Sequence, residues 1–316
     1  MSEPESPKAK KAKLLEPVIN NTDKWLEENS KFFLPPVCNK MMYGDGQMKC
    51  FYVGGPNQRK DYHIEEGEEL FFMIKGDMVL KVVEQGEHRD IPICEGEIFL
   101  LPGRIPHSPQ REANTIGLVL ERDRTEDETD GLRYYVEKKG KPTLESLYEE
   151  WFHCEDLGSQ LAPIIKKFFA SEQYKTGKPK PGTIPENPPI IPDKHRTLED
   201  PFSLNQWIAE NRTMIEREGH LNIFGEEANY QFRVDVYGTG SNTDKCDTAE
   251  TFIWMLEGTS VVTVDGKDYE LHHNDTMLIR CGQEYSATRP TGALSLICYQ
   301  DPTRKAKVFK KSKSKK

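Results

Sequence analysis

Between residues 48 and 120 the apolar positions fall in short runs, broken by glycine, proline and charged residues. Strands are expected at 49–53, 69–74, 78–84, 98–101 and 115–121. Some of these runs alternate with polar residues and others are continuously apolar, as for strands facing a closed core. Their close spacing leaves no room for crossover helices, so a sandwich or barrel is predicted rather than βαβ units. Ahead of them, 14–37 reads as an entry segment with a short helix. Trp25, Leu26, Phe32 and Phe33 would pack it onto something larger. After them the period changes. Leu144, Leu147, Tyr148, Trp151 and Phe152 recur at helical spacing behind a plausible cap at Thr143. A second helical stretch covers 161–169. Six prolines between 175 and 195 then block helix and central strand alike, which predicts a semi-rigid surface connector. Ser203 and Gln206 have the spacing of a capping box for a short helix containing Trp207. Strand-like spacing returns from Tyr230 to Gln300.

A weak internal repeat runs through the two strand-rich regions. Glu69-Leu-Phe-Phe-Met-Ile-Lys-Gly76 aligns with Thr251-Phe-Ile-Trp-Met-Leu-Glu-Gly258. Glu97-Ile-Phe-Leu-Leu101 aligns with Asp275-Thr-Met-Leu-Ile279. A shortened hairpin in the second copy accounts for the shorter interval between the two segments. Two copies of one β-domain in a single chain are therefore expected.

Composition narrows the class. The 316 residues carry 36% apolar and 30% charged positions, enough for a core under a charged surface. The net charge of -9 is uneven. Residues 1–13 carry +2 and residues 304–316 carry +8, which leaves -19 for the body between them. An acidic body is a poor nucleic-acid binder, because phosphate binding rests on positive charge. The basic ends read as disordered tails. No apolar run is long enough to span a bilayer, and no apolar core follows the basic N-terminus as in a secretory signal. The seven cysteines are odd in number and lack CxxC spacing, which argues against a disulfide framework or a Cys-rich zinc site. A reducing, cytoplasmic setting fits best.

His63, Glu69 and His107 are the candidate metal ligands. Two imidazoles and one carboxylate suit non-haem Fe(II) with positions open for substrate and O2, and zinc accepts the same donors. The segments holding them resemble the two cupin motifs. The wider text is closer to one family. Gly54-Gly-Pro-Asn-Gln-Arg-Lys-Asp-Tyr-His63, Pro106-His-Ser-Pro-Gln-Arg111, Asp130-Gly-Leu-Arg-Tyr-Tyr135 and Asp156-Leu-Gly-Ser-Gln-Leu-Ala-Pro163 resemble the 3-hydroxyanthranilate 3,4-dioxygenases. The resemblance covers about residues 20–302.

That resemblance implies an all-β fold with short flanking helices. It would be two tandem cupin (jelly-roll) barrels, the second degenerate. The catalytic domain would span 16–174 and the linker 175–200. The degenerate domain would span 201–302, with tails at 1–15 and 303–316. It implies one Fe(II) per chain on His63, Glu69 and His107, with Arg59, Arg111 and Glu121 contacting substrate. Either arginine would suit a planar carboxylate, since a guanidinium forms two charge-assisted bonds. The implied reaction cleaves the ring of 3-hydroxyanthranilate with O2. The product, 2-amino-3-carboxymuconate semialdehyde, cyclises to quinolinate on the way from tryptophan to NAD. In the second copy Lys245, Thr251 and Tyr285 are expected opposite His63, Glu69 and His107, so only one metal site is expected. His272 and His273 are assigned to a turn and His153 to a helix face. A pseudo-dimer within one chain, and hence a monomer, is expected.

Overall fold

The computed structural model describes residues 16–35, 38–225 and 229–305. The tail at 1–15 and the chain beyond 305, with the disorder expected of them, lie outside the described residues. Residues 302–304 form a short 3-10 turn, and Lys305 pairs with Asp127 and Glu128.

The five expected strands are present as Met48–Gly54, Glu69–Lys75, Met78–Glu84, Glu97–Leu101 and Ile116–Arg122. They belong to two six-stranded sheets. In the first, Glu69–Lys75 lies between Glu97–Leu101 and Ile116–Arg122, with Met48–Gly54 and Asn39–Tyr43 beyond. In the second, Tyr62–Ile64 and His107–Arg111 are neighbours at the centre. A further six-stranded sheet and a four-stranded sheet are built mainly from residues after 219.

Strand period explains the continuous apolar runs. In Glu69–Lys75, Phe71 and Met73 point with Glu69 into a core shared with the second sheet, alongside Leu80, Val82, Phe99 and Val119. Leu70 and Phe72 point the other way, into a core shared with the C-terminal half, against Phe252, Trp254 and Leu296. Both faces are buried, so no polar alternation survives. Thr251–Glu257 repeats the pattern, with Ile253 and Met255 in the C-terminal half's own core.

The halves also exchange edge strands. Val18–Asn21 pairs with Asp275–Ile279 of the C-terminal half, and Phe202–Ser203 pairs with Glu97–Leu101 of the N-terminal half. The two accepting strands are equivalents in the repeat. Each donated strand runs into a capped helix. Asn21 accepts from Lys24 N before Thr22–Glu28, and Ser203 accepts from Gln206 N before Leu204–Glu218. The cap expected at Ser203 is therefore present, on a helix of 15 residues rather than a short one.

One expected helix is a strand. Lys141–Phe152 pairs along Asp130–Lys138, with register shifts at Tyr134/Tyr135 and Tyr135/Glu137. These irregularities break the two-residue alternation and place Leu147 and Tyr148 side by side in the core, which mimics helical spacing. The next helix, Leu157–Ala170, packs on this pair, and Phe168 stacks on Tyr134 with ring centroids 3.5 Å apart. From 177 to 201 the proline-rich stretch has neither helix nor strand.

Candidate metal centre and its cavity

The pairing of Tyr62–Ile64 with His107–Arg111 sets His63 directly opposite His107. Glu69 opens the neighbouring strand of the facing sheet with its side chain turned inward. His63 and Glu69 lie on strands of different sheets, separated by the turn at 65–68. His107 Nε2 lies 2.7 Å from Glu69 Oε1, and His63 Nδ1 lies 3.8 Å from the same oxygen. All three side chains are buried. Glu65 joins them, its Oε1 3.7 Å from His63 Nδ1. One donor atom from each of His63, Glu65, Glu69 and His107 fits within a mutual 4.8 Å.

The second nitrogen of each imidazole is already engaged. His107 Nδ1–H donates to the Ile105 carbonyl at 2.9 Å, which leaves Nε2 as a lone-pair donor. His63 Nε2–H donates to Asp130 Oδ2 at 2.8 Å, which turns Nδ1 toward the carboxylates. Such outer bonds orient metal-binding histidines and raise their basicity. Burial lowers the His63 pKa, but its bonds to Asp130 and Glu69 outweigh that and raise it to about 9. Burial lifts the Glu69 carboxyl, yet His107 and His63 beside it hold it well below the usual carboxylate range. Glu65 is different. Burial keeps it well above that range against the pull of Arg124. Arg124 Nη2 stands 2.8 Å from Glu65 Oε2, a close ion contact without aligned hydrogen-bond geometry. The same guanidinium meets Asp130 at 2.9 Å and Glu121 at 3.3 Å. An ionised Glu69 and two imidazoles turned toward it fit a hard or borderline divalent ion, whose binding would displace the second proton that His63 holds in its absence.

The donors line a cavity of about 210 Å³, sized for one small ring, with Phe51, Val53, Phe71 and Val119 among its apolar walls. Arg59, Arg111 and Glu121 line it too, so the fold brings together all six residues singled out in the sequence. The arginines differ. Arg59 is held by Asp61, to which both Nε and Nη2 donate. Arg111 is 3% exposed, and its Nε has no hydrogen-bond partner among the described residues. Burial pushes its pKa down to about 10. Glu121 Oε2 is likewise buried and unpartnered. The cavity thus presents a buried guanidinium without a carboxylate partner, and a Glu121 oxygen left unbonded although its twin pairs with Arg124, beside a metal-binding cluster.

Sequence reasoning missed Glu65, Arg124 and Asp130. Glu65 was hidden in an acidic turn that reads as solvated, although Glu65, Glu68 and Glu69 are all buried. Nothing in residue spacing marks Arg124 or Asp130. The C-terminal half holds the turn in place. Gln300 Nε2 donates to the Glu68 carbonyl and Gln231 Nε2 to that of Glu66, both at 2.9 Å.

Strand register sharpens the comparison of the halves. Val82 pairs with His107 as Val264 pairs with Tyr285, and Glu69 pairs with Leu101 as Thr251 pairs with Ile279. Tyr285 and Thr251 therefore stand where expected. The residue opposite Tyr285 is Asp244, however, not Lys245. The equivalent of His63 is shifted by one position from the expected Lys245, because the connecting segments of the two halves differ in length. Asp244 is exposed, and among the described residues the C-terminal half forms no metal-binding cluster. His272 and His273 lie in an exposed turn, as expected. His153 does not pack a helix face; it follows the strand and its Nδ1–H donates to the Glu128 carbonyl at 2.8 Å.

The model of the 3-hydroxyanthranilic acid dioxygenase family matches residues 15–169. A 3-hydroxyanthranilate 3,4-dioxygenase of Xenopus tropicalis is 51% identical over 282 residues, covering 89% of this chain and 98% of the relative. Its Homo sapiens counterpart is 49% identical over 278 residues, covering 88% and 94%. Among solved structures, a salicylate 1,2-dioxygenase from Pseudaminobacter salicylatoxidans superposes with a TM-score of 0.55 at 13% identity, covering 92% of this chain and 86% of that one. That likeness concerns the fold alone and runs through both halves. Identity near one half along nearly the whole length of its relatives, joined to a buried His and Glu cluster in a ring-sized cavity, makes this chain a member of the 3-hydroxyanthranilate 3,4-dioxygenase family.

Proposed function

We propose that this chain is an Fe(II)-dependent ring-cleaving dioxygenase acting on 3-hydroxyanthranilate and O2. The observation that carries the reading is the pairing, in one cavity, of a metal-binding cluster with the buried guanidinium of Arg111, whose Nε has no hydrogen-bond partner among the described residues. His63, Glu69 and His107 would hold the ion. Bound Fe(II) supplies a centre at which the aromatic substrate and O2 meet and exchange electrons.

The residues of the chain supply position and charge. Arg111 takes the substrate carboxylate, with Arg59 beside it and steadied by Asp61. Glu121 accepts from the ring amino or hydroxyl group. Phe51, Val53, Phe71 and Val119 clasp the ring and exclude water. Holding carboxylate and ring edge at once selects which ring bond faces O2. Both oxygen atoms enter the product as the C3–C4 bond breaks. The resulting 2-amino-3-carboxymuconate semialdehyde cyclises to quinolinate without the enzyme. Since the body of the chain is acidic, capture of an anionic substrate depends on this local positive pair.

The same reading extends to architecture. The repeat, the matching registers and the reciprocal strand exchange support two tandem jelly-roll copies, 16–174 and 201–302, joined by 175–200. The second would be degenerate, serving as the first one's internal partner in a monomer with one iron. Seven free cysteines suit a cytoplasmic enzyme. No described helix is long and apolar enough to cross a membrane.

The test is anaerobic loading with Fe(II) followed by an oxygen-electrode assay. One O2 consumed per 3-hydroxyanthranilate supports the reading. Iron-loaded protein that leaves the substrate untouched ends it.

A further inference from the structure

Among the described residues four arginines are buried: Arg111, Arg122, Arg280 and Arg289. Two have carboxylate partners. Arg122 meets Glu128 at 2.6 Å, and Arg280 meets Glu250 at 3.0 Å and Asp45 at 2.9 Å. Around Arg111 and Arg289 no described carboxylate oxygen lies within 4.0 Å. Those two are not a random pair. The register that places Tyr285 at the position of His107 places Arg289, four residues on, at the position of Arg111. Each closes its strand, with its side chain on the inner face of its own half.

The surroundings of Arg289 are rich in unanswered polar atoms. Its Nε–H donates to the Gly238 carbonyl at 2.7 Å and its Nη2–H to Asn242 Oδ1 at 2.8 Å. Nη1 has no partner. Asn242 Nδ2 and Tyr285 Oη are buried neighbours without an aligned hydrogen bond, and Ser295 Oγ is buried without a partner among the described residues. Ser295 lies between Leu294 and Leu296, which face the other half, so it points inward with Ile297. The Tyr237 ring flanks the guanidinium at 5.1 Å. A guanidinium stays charged when buried, so it calls for a counter-charge. The side chains bonded to or packed on Arg289 supply nitrogen and hydroxyl donors but no acid; Asp244, opposite Tyr285, is exposed and makes no ion pair with Arg289 among the described residues.

We propose that the inner face of the C-terminal half binds a small monovalent anion, a halide or a carboxylate of formate size, through Arg289, Asn242, Tyr285 and Ser295. The anion is small because the Tyr285 phenol stands where the first half has the slighter His107 and an open cavity. The degenerate half thus keeps the anion-holding arginine of its working twin without the metal ligands, and uses it as an internal structural ion site.

The experiment is anomalous diffraction at the bromine edge on crystals of the full chain in sodium bromide, with and without 3-hydroxyanthranilate. The expected result is a peak within about 3.5 Å of Arg289 Nη1 that persists when substrate displaces any bromide at Arg111. Water density at Arg289 with bromide confined to the surface overturns the proposal. A solution measurement accompanies it in the Arg111→Met background, at constant ionic strength set with sodium gluconate. The melting temperature should rise with bromide and saturate, and adding Arg289→Met or the milder Ser295→Val should flatten or weaken that rise. Equal bromide responses in all three proteins would also overturn it.

Discussion

Arg111→Met separates the reading of the cavity from a purely structural account, because it moves stability and catalysis in opposite directions. Arg111 is 3% exposed, and its Nε has no hydrogen-bond partner among the described residues. Burial pushes its pKa from 12.5 to about 10, an unfavourable environment worth about 3 kcal/mol. Methionine keeps much of the aliphatic stem and removes the charge, so the substrate-free protein should gain stability, up to about that amount. The sign with pH follows. For a base held below its unfolded value, the penalty is complete below the folded pKa and fades only as pH rises from about 10 toward 12.5. Denaturation at pH 7 therefore sees all of it. Catalysis goes the other way. Two charge-assisted bonds to a carboxylate contribute about 1.5–3 kcal/mol each. Losing them should lower kcat/KM by about 100-fold or more, with Arg59 limiting the damage. The assays are urea denaturation without substrate and steady-state oxygen uptake. A variant clearly less stable than the parent, with kcat/KM reduced less than tenfold, would refute the argument, since Arg111 would then be a packing element.

Three further outcomes are expected. His107→Ala should abolish iron retention and turnover together, measured as iron per chain and oxygen uptake. Asp130→Asn removes the carboxylate that takes the His63 Nε2 proton, and should weaken iron binding by about 10- to 100-fold, read by competition with a chelator. Glu65→Gln should leave iron stoichiometric and affinity within about tenfold, because burial already disfavours an ionised Glu65; a larger loss would make it a fourth ligand.

How much was legible follows from range. The strands at 49–53, 69–74 and 78–84 were readable because a two-residue period and short apolar runs are local properties. The cap at Ser203 was readable for the same reason. The strand Lys141–Phe152 was not, since its irregular pairing with Asp130–Lys138 displaces side chains from strict alternation. Nor was the true partner of Tyr285, because register depends on hydrogen bonds between strands about forty residues apart.

The six candidate residues came from the sequence, through local motifs and a family resemblance. The sequence also showed a second half without the ligand set. Tertiary structure alone decided that Arg59 is held by Asp61 while Arg111 Nε has no partner among the described residues, and that Glu65 is buried rather than solvated. It alone showed that Arg124 and Asp130 brace the cluster. Charge and hydrogen-bond state depend on burial and on neighbours distant in the chain, and those exist only once the sheets have closed.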